Sequence, residues 1–242
     1  MKFIRRNKKE SDLRLIWFGH SCIRMQINDI LLFFDPIKKN NMLATILDPK
    51  KQNSISAIFI SHDHWDHCNP ETILALCSPK TKINCPLSVI DQIYHQMTFE
   101  VNNLKDLKKE KKRIVPVKIQ DIVKIDQIQV KCLTASEGLS FLILVKDKKL
   151  LFMGDSNATK EMKKENPDVI LFPIWAVKGE EAKQEEFFEL AENSLCIPMH
   201  YHQSPDALPN FYVDIGEIKR SLRDLKVKIL EKNKVYNLEK DF

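Results

Sequence analysis

The sequence predicts an α+β domain with two β-sheets at its centre and helices on the outside. Three observations carry this expectation. Short apolar, β-branched runs recur through both halves of the chain, as at Ile55-Ser-Ala-Ile-Phe-Ile60 and Leu139-Ser-Phe-Leu-Ile-Leu-Val145. Stretches of helical periodicity fall between them, which fits a sheet core flanked by helices. Ligand-type residues stand where the runs stop: His62, Asp155 and His200 follow runs 55–61, 149–154 and 194–199. Sites on β/α scaffolds are commonly assembled from such loops.

Taken in order, strands are expected at 13–18, 21–27, 30–35, 55–61 and 81–85 in the first half. In the second half they are expected at 114–118, 122–125, 128–133, 140–145, 149–154, 168–173, 194–199 and 227–230. Helices are expected near 41–47, 70–77, 86–98, 157–165, 181–192 and 214–224. The clearest boundary is at Asn69-Pro70-Glu71-Thr72, with Asn as N-cap, Pro in the first helical position and an acid in the first turn. The chain has only 5 Gly, so turns use Asn, Asp and Lys, as at Asn28-Asp29 and Lys146-Asp147-Lys148.

Between the run at 55–61 and the helix start lies Ser61-His-Asp-His-Trp-Asp-His-Cys-Asn-Pro70. It holds His62, His64, Asp66 and His67 in the pattern H-x-H-x-D-H. Imidazole and carboxylate are the ligand types of zinc, iron and manganese, and such crowding on one strand-to-helix loop points to a metal site. His62 and His64, two apart in extended chain, can face the same way. Asp66 and His67 follow after the chain turns and could serve a second ion.

The bulk numbers set limits. The 242 residues are enough for one large domain, expected over 1–242, with a substantial core. Hydrophobic content of 43% and charged content of 29% are ordinary for a globular protein. The net charge of +5 is scattered, and the run Lys105–Arg113 alternates with acids like a solvated helix or loop, so nucleic acid is not the expected partner. The 6 Cys, at 22, 68, 77, 85, 132 and 196, form no CxxC pair and several lie in apolar runs. That predicts free buried thiols in a reducing, cytoplasmic compartment. No apolar stretch follows the basic N-terminus as in a signal peptide, and none reaches the length of a membrane span.

With its H-x-H-x-D-H loop after a strand, the chain resembles the metallo-β-lactamase superfamily. Four further segments match in the family's order. Trp17-Phe-Gly-His20-Ser21 resembles the Gly-His turn of the branch containing ascorbate-phosphate lactonase and the N-acyl phosphatidylethanolamine phospholipase D enzymes. Leu31-Leu-Phe-Phe-Asp35-Pro36 resembles the strand and Asp-Pro that follow. Leu151-Phe-Met-Gly154-Asp155 resembles the strand ending in a metal-bridging Asp, and Ile197-Pro-Met-His200 the strand ending in the last His ligand. The resemblance spans about residues 13–202 and implies a four-layer αββα sandwich, two mixed sheets flanked by helices, with a pseudo-twofold relation of its halves.

It also implies a ligand set: His62 and His64 on a first metal, Asp66, His67 and His200 on a second, and Asp155 between them. Zn2+ is the first expectation, with Mn2+ or Fe2+ as alternatives and one or two ions bound. Two ions roughly 3.5–4 Å apart can share a hydroxide with a pKa near 7, and neutralise the charge that develops as it attacks. The implied function is a metal-dependent hydrolase of an ester, lactone or phosphodiester in a small-molecule substrate, with Asp66, Asp155 and His20 in the catalytic set. A homo-oligomer is allowed. The chain departs from the family at one place. A further His on the first metal is expected before the strand leading to Asp155, and Leu133-Thr-Ala-Ser-Glu137-Gly138-Leu-Ser-Phe141 contains none. Glu137 or Ser136 could replace it, or His20 or His202 could swing in.

The departure motivates a second reading, a metal-depleted or single-metal descendant acting as a binding or regulatory protein. The basic balance allows a third, a phosphodiesterase or nuclease. Asp35 is expected to support the metal loop from below, or else to be an Asp-Pro turn acid. Asp63 could orient a ligand or simply be solvated, and His95 reads as a helix surface residue. Trp65 and Trp175 are candidates for the substrate mouth.

Overall fold

The computed structural model describes residues 13–37, 55–100, 111–178, 180–201 and 212–240. The chain runs β1 (Leu13–Gly19), β2 (Cys22–Ile27), β3 (Ile30–Phe34), β4 (Ala57–Phe59), α1 (Pro70–Leu76), β5 (Lys82–Cys85), α2 (Leu87–Glu100) and β6 (Ile114–Pro116). It continues with β7 (Ile122–Ile125), β8 (Ile128–Thr134), β9 (Leu139–Val145), β10 (Lys148–Phe152), α3 (Lys160–Glu165), β11 (Val169–Pro173) and a 3₁₀ turn at Ile174–Val177. It ends with α4 (Glu181–Ala191), β12 (Leu195–Met199), α5 (Ile215–Ser221), β13 (Lys226–Val227) and β14 (Val235–Asn237).

These strands form two seven-stranded sheets, ordered β14-β1-β2-β3-β4-β5-β6 and β13-β12-β11-β10-β9-β8-β7. Both are mixed, and the expected α+β architecture is present. The pairing pattern repeats. In the first sheet β14 through β3 pair antiparallel and β3 through β6 parallel. In the second, β7 through β10 pair antiparallel and β10 through β13 parallel. The halves thus share a strand plan that no repeat of residues announces.

Burial follows the strand period. In β3, Leu32 and Phe34 enter the core between the sheets, while Phe33 faces the other way, toward the residues of α1 and α2. Between the sheets Phe34 stacks on Phe59 at 5.2 Å and meets Phe152 of the opposite sheet at 5.3 Å. Outside, Ile73, Leu76, Val89 and Ile93 cover the first sheet. Phe187 of α4 lies 4.5 Å from Phe172 on the second.

Several boundaries differ from the sequence expectation. The strand expected at 55–61 pairs only over Ala57–Phe59, because the chain leaves the sheet to build the histidine loop. The run 227–230 pairs only at Lys226–Val227, and the helix expected at 157–165 begins at Lys160, capped by Thr159. The edge strand β14 was not foreseen. The helix expected at 41–47 lies outside the described residues. Asn69 does cap α1, accepting from the Thr72 amide at 3.0 Å.

Candidate metal centre

Five chain segments meet at one rim of the sandwich: the β1–β2 turn, the loop after β4, the β8–β9 turn, and the ends of β10 and β12. Their placement is fixed by the backbone. His20, Asp35 and His200 all take positive φ, at 50°, 45° and 63°. Non-glycine residues rarely do so without tertiary support. Here the His20 carbonyl accepts both the Trp17 indole N–H and the His200 amide, each at 2.9 Å, tying the β1–β2 turn to the end of β12. Gly138 has φ +65°, and a Cβ there would sit 2.2 Å from the Ser61 carbonyl oxygen. Only glycine lets the β8–β9 turn press against the histidine loop, where Leu139 N–H donates to that same oxygen.

The structure brings together the six expected ligands, His20 and Glu137. One group, with a ligand atom from each within 4.8 Å of the others, is His20, Asp66, His67 and His200. A second, on the same criterion, is His62, His64, Glu137 and Asp155. Asp155 joins them: its Oδ1 lies 3.2 Å from Nε2 of both His67 and His200. Glu137 Oε2 is 3.2 Å from Nδ1 of His64 and 3.9 Å from Nε2 of His62. His202 lies outside the described residues.

Asp35 was expected beneath the loop, and it is there. It is fully buried, accepting the Ser61 amide on Oδ1 at 2.7 Å and the Ser61 hydroxyl on Oδ2 at 2.6 Å. The same Oδ2 accepts from Nδ1 of His67 at 2.7 Å. With its proton committed to Asp35, the Ser61 hydroxyl accepts from Nδ1 of His62 at 2.9 Å. One carboxylate, directly and through one hydroxyl, therefore fixes two imidazoles with Nε2 turned to the rim. Sequence reasoning missed Ser61; its position beside the first His was the available signal.

Electrostatics agree with this geometry. Burial would push His67 down, but the carboxylates of Asp155 and Asp35 outweigh it and hold the imidazole up at about 10. Burial also opposes charge on His200, and Asp155 with Asp66 reverses the sign. Asp66 and Asp155 are held well below the usual carboxylate range; burial opposes this, but their histidine neighbours prevail. His20 behaves differently. Burial lowers it to about 4 despite Asp66, so its neutral ring donates from Nε2 to Asp66 Oδ2 at 2.8 Å.

Nε2 of His62, Nε2 of His67 and Oδ1 of Asp155 are buried and make no well-aligned hydrogen bond to a described residue, the last two only facing each other at 3.2 Å. Such atoms are costly unless something satisfies them. Three orphaned ligand atoms converging on one rim, with their far sides held by Asp35 and Ser61, fit divalent cations.

The remaining expected residues occupy simpler places. Asp63 is partly exposed, and its carbonyl accepts from Gln92. His95 is exposed on α2. Trp65 stands 58% exposed between His64 and Asp66, whereas Trp175 packs half-buried against the main core. None of the six cysteines is in a disulfide, and among the described residues no helix is long and apolar enough to cross a membrane.

Comparison with known proteins agrees with the architecture. Residues 14–200 match the β-lactamase superfamily domain. A metal-dependent hydrolase of Aeropyrum pernix is 22% identical over 242 residues, covering 93% of this chain and 98% of its own. The solved structure of Igni18, a metallo hydrolase of the archaeon Ignicoccus hospitalis, superposes with TM-score 0.67 at 20% identity, over 93% of this chain and 97% of that one. CmlA, a diiron β-hydroxylase of Streptomyces venezuelae, superposes with TM-score 0.65 at 13% identity, over 94% of this chain and 54% of its own. By its matched domain, its two-sheet topology and its histidine loop, the chain belongs to the metallo-β-lactamase superfamily.

Proposed function

We propose that this protein is a metal-dependent hydrolase of a small-molecule ester, lactone or phosphodiester, built as one domain over 1–242 and working in the cytoplasm. The observation that carries the reading is the convergence of His62, His64, Asp66, His67, Asp155 and His200 on one rim, with buried ligand atoms of His62, His67 and Asp155 facing into it. The relatives' names and the matched family support hydrolysis, and six mostly buried cysteines without a disulfide support a reducing compartment.

In this reading His62, His64 and Asp155 would hold a first cation, and Asp66, His67 and His200 would hold a second, with Asp155 placed to serve both. Zinc accepts such mixed imidazole and carboxylate sets. When bound, the cations would supply activated water and offset the negative charge that grows during attack. The chain's own residues do the rest. Asp35 and Ser61 set the ring orientations of His67 and His62. His20, sealed from solvent, holds Asp66 and is a positioning residue, a narrower role than its sequence motif implied. Trp65 offers an exposed aromatic face beside the centre, suited to an apolar or ring-bearing part of the substrate.

The test is hydrolysis by the metal-loaded protein of a panel of lactones, carboxylic esters and bis(p-nitrophenyl) phosphate, with Asp155→Ala as control. Turnover of one class, abolished by the substitution and by chelation, is the expected result. Stoichiometric metal without turnover of any class favours the binding-protein reading instead.

A further inference from the structure

We propose that Glu137 is itself a ligand of the first metal, standing where the family's imidazole is missing, and that its charge turns that position toward the harder ions manganese and iron. The proposal rests on the metal-centre reading above and goes beyond it in naming a ligand and a selectivity.

The replacements open at the sequence level narrow sharply in space. Ser136 is engaged elsewhere: its hydroxyl accepts from the Asn157 amide at 3.1 Å and its own amide donates to the Ser156 hydroxyl at 2.9 Å. His20 is spent on Asp66, in the other group. Glu137 alone among the described alternatives reaches the first group, 3.2 Å from His64 and 3.9 Å from His62. Its carrier is not a loose surface loop. Glu137 N–H donates to the Asp155 carbonyl at 3.2 Å, and the next residue, Gly138, is locked against Ser61. The turn thus ties Glu137 to the Asp155 segment on one side and the histidine loop on the other. An exposed carboxylate–imidazole pair contributes little stability by itself, so stability alone does not account for this arrangement.

The donor set changes with it. With Glu137 the first group offers two imidazoles and two carboxylates, where an imidazole in its place would make three imidazoles and one carboxylate. Carboxylate oxygen favours manganese and, with two imidazoles, iron, whereas nitrogen-rich sets suit zinc. The missing histidine is therefore a change of donor, not the loss of a site.

The experiment compares metal-free wild type, Glu137→Gln and Glu137→His. Each is titrated with Mn2+, followed by the paramagnetic resonance of the free ion, and then with Zn2+ in competition, with bound metal counted after dialysis. Glu137 is half exposed, and thermal unfolding of the metal-free forms checks that all three fold alike. Wild type is expected to take two equivalents. Glu137→Gln should bind one of them at least about tenfold more weakly, since even losing a group that only orients a ligand costs roughly 10–100-fold. Glu137→His should keep two equivalents while its manganese-to-zinc affinity ratio falls at least about tenfold. A glutamine variant that binds like wild type, whether one or two equivalents, overturns the ligand assignment alone. An unchanged ratio in the histidine variant overturns the selectivity. Wild type that binds no metal overturns the whole centre, and this proposal with it.

Discussion

His67 and Asp35 meet at 2.7 Å with neither side chain reaching solvent. The same carboxylate also fastens Ser61 twice, so its charge serves three donors in a dry pocket. Asp35→Asn keeps the shape but removes the charge and one acceptor. The expected cost is about 2–4 kcal/mol of stability, from leaving buried donors mismatched. Metal affinity is expected to fall roughly 10–100-fold, because Nε2 of His67 loses its fixed aim. Denaturant unfolding and calorimetric metal titration measure the two effects separately.

Asp155→Ala should abolish turnover while leaving the fold largely intact. Asp155 follows β10 at the rim and is no member of the hydrophobic core. Removing it takes away the negative charge shared between the two groups, so two cations there would face each other unscreened. Circular dichroism unchanged from wild type, beside turnover lost to the detection limit, is the expected pair of readings. Retained turnover would show that Asp155 is not the shared ligand.

Gly138→Ala tests the turn. A methyl at this position meets the Ser61 carbonyl oxygen and demands a positive φ of 65° from a residue that resists it. Strain of this kind costs on the order of 1–3 kcal/mol before the steric clash is added. A fall in stability beyond about 2 kcal/mol, with weakened uptake of one metal equivalent, is expected. Denaturant titration with and without metal separates the two.

The thiols give a pH prediction independent of the centre. Burial pushes Cys85, Cys132 and Cys196 up to about 12 from an ordinary value of 9.0. Their folded pKa exceeds the unfolded one, so the stability they contribute is complete below pH 9 and is lost as pH climbs from 9 toward 12. Unfolding free energy under reducing conditions should therefore decline across that window, less so in Cys85→Ala than in wild type. At pH 8 a thiol reagent should react first at Cys77, the one cysteine that is not buried.

Much of this was legible in the sequence, where local physics decides. The β-branched runs gave most strands, and Asn69 with Pro70 marked the start of α1. What was hidden depends on distance along the chain. Asp35 was placed beneath the loop by resemblance alone, since its contact with His67 spans 32 residues, and the contact of Ser61 with the β8–β9 turn, longer still, was not read at all. Short edge pairing escaped too: β14 is three residues whose apolar content is no greater than that of many loops, and only β1 makes it a strand. The missing histidine was visible at once. That Glu137, of the candidates for its place, is the one beside His62 and His64 was not, because the placement depends on a glycine whose need is steric and whose partner lies far upstream.

In each sheet one strand marks the change from antiparallel to parallel neighbours, β3 in the first and β10 in the second. Those two strands lead into Asp35 and Asp155, and the single ring of His67 touches one with each nitrogen. An imidazole from one loop thereby acts as a clasp between the halves of the molecule. Occupancy of the rim is then linked by mass action to how firmly the sheets hold together. Stripping the cations would be felt far from them, as faster amide exchange in core strands of both sheets.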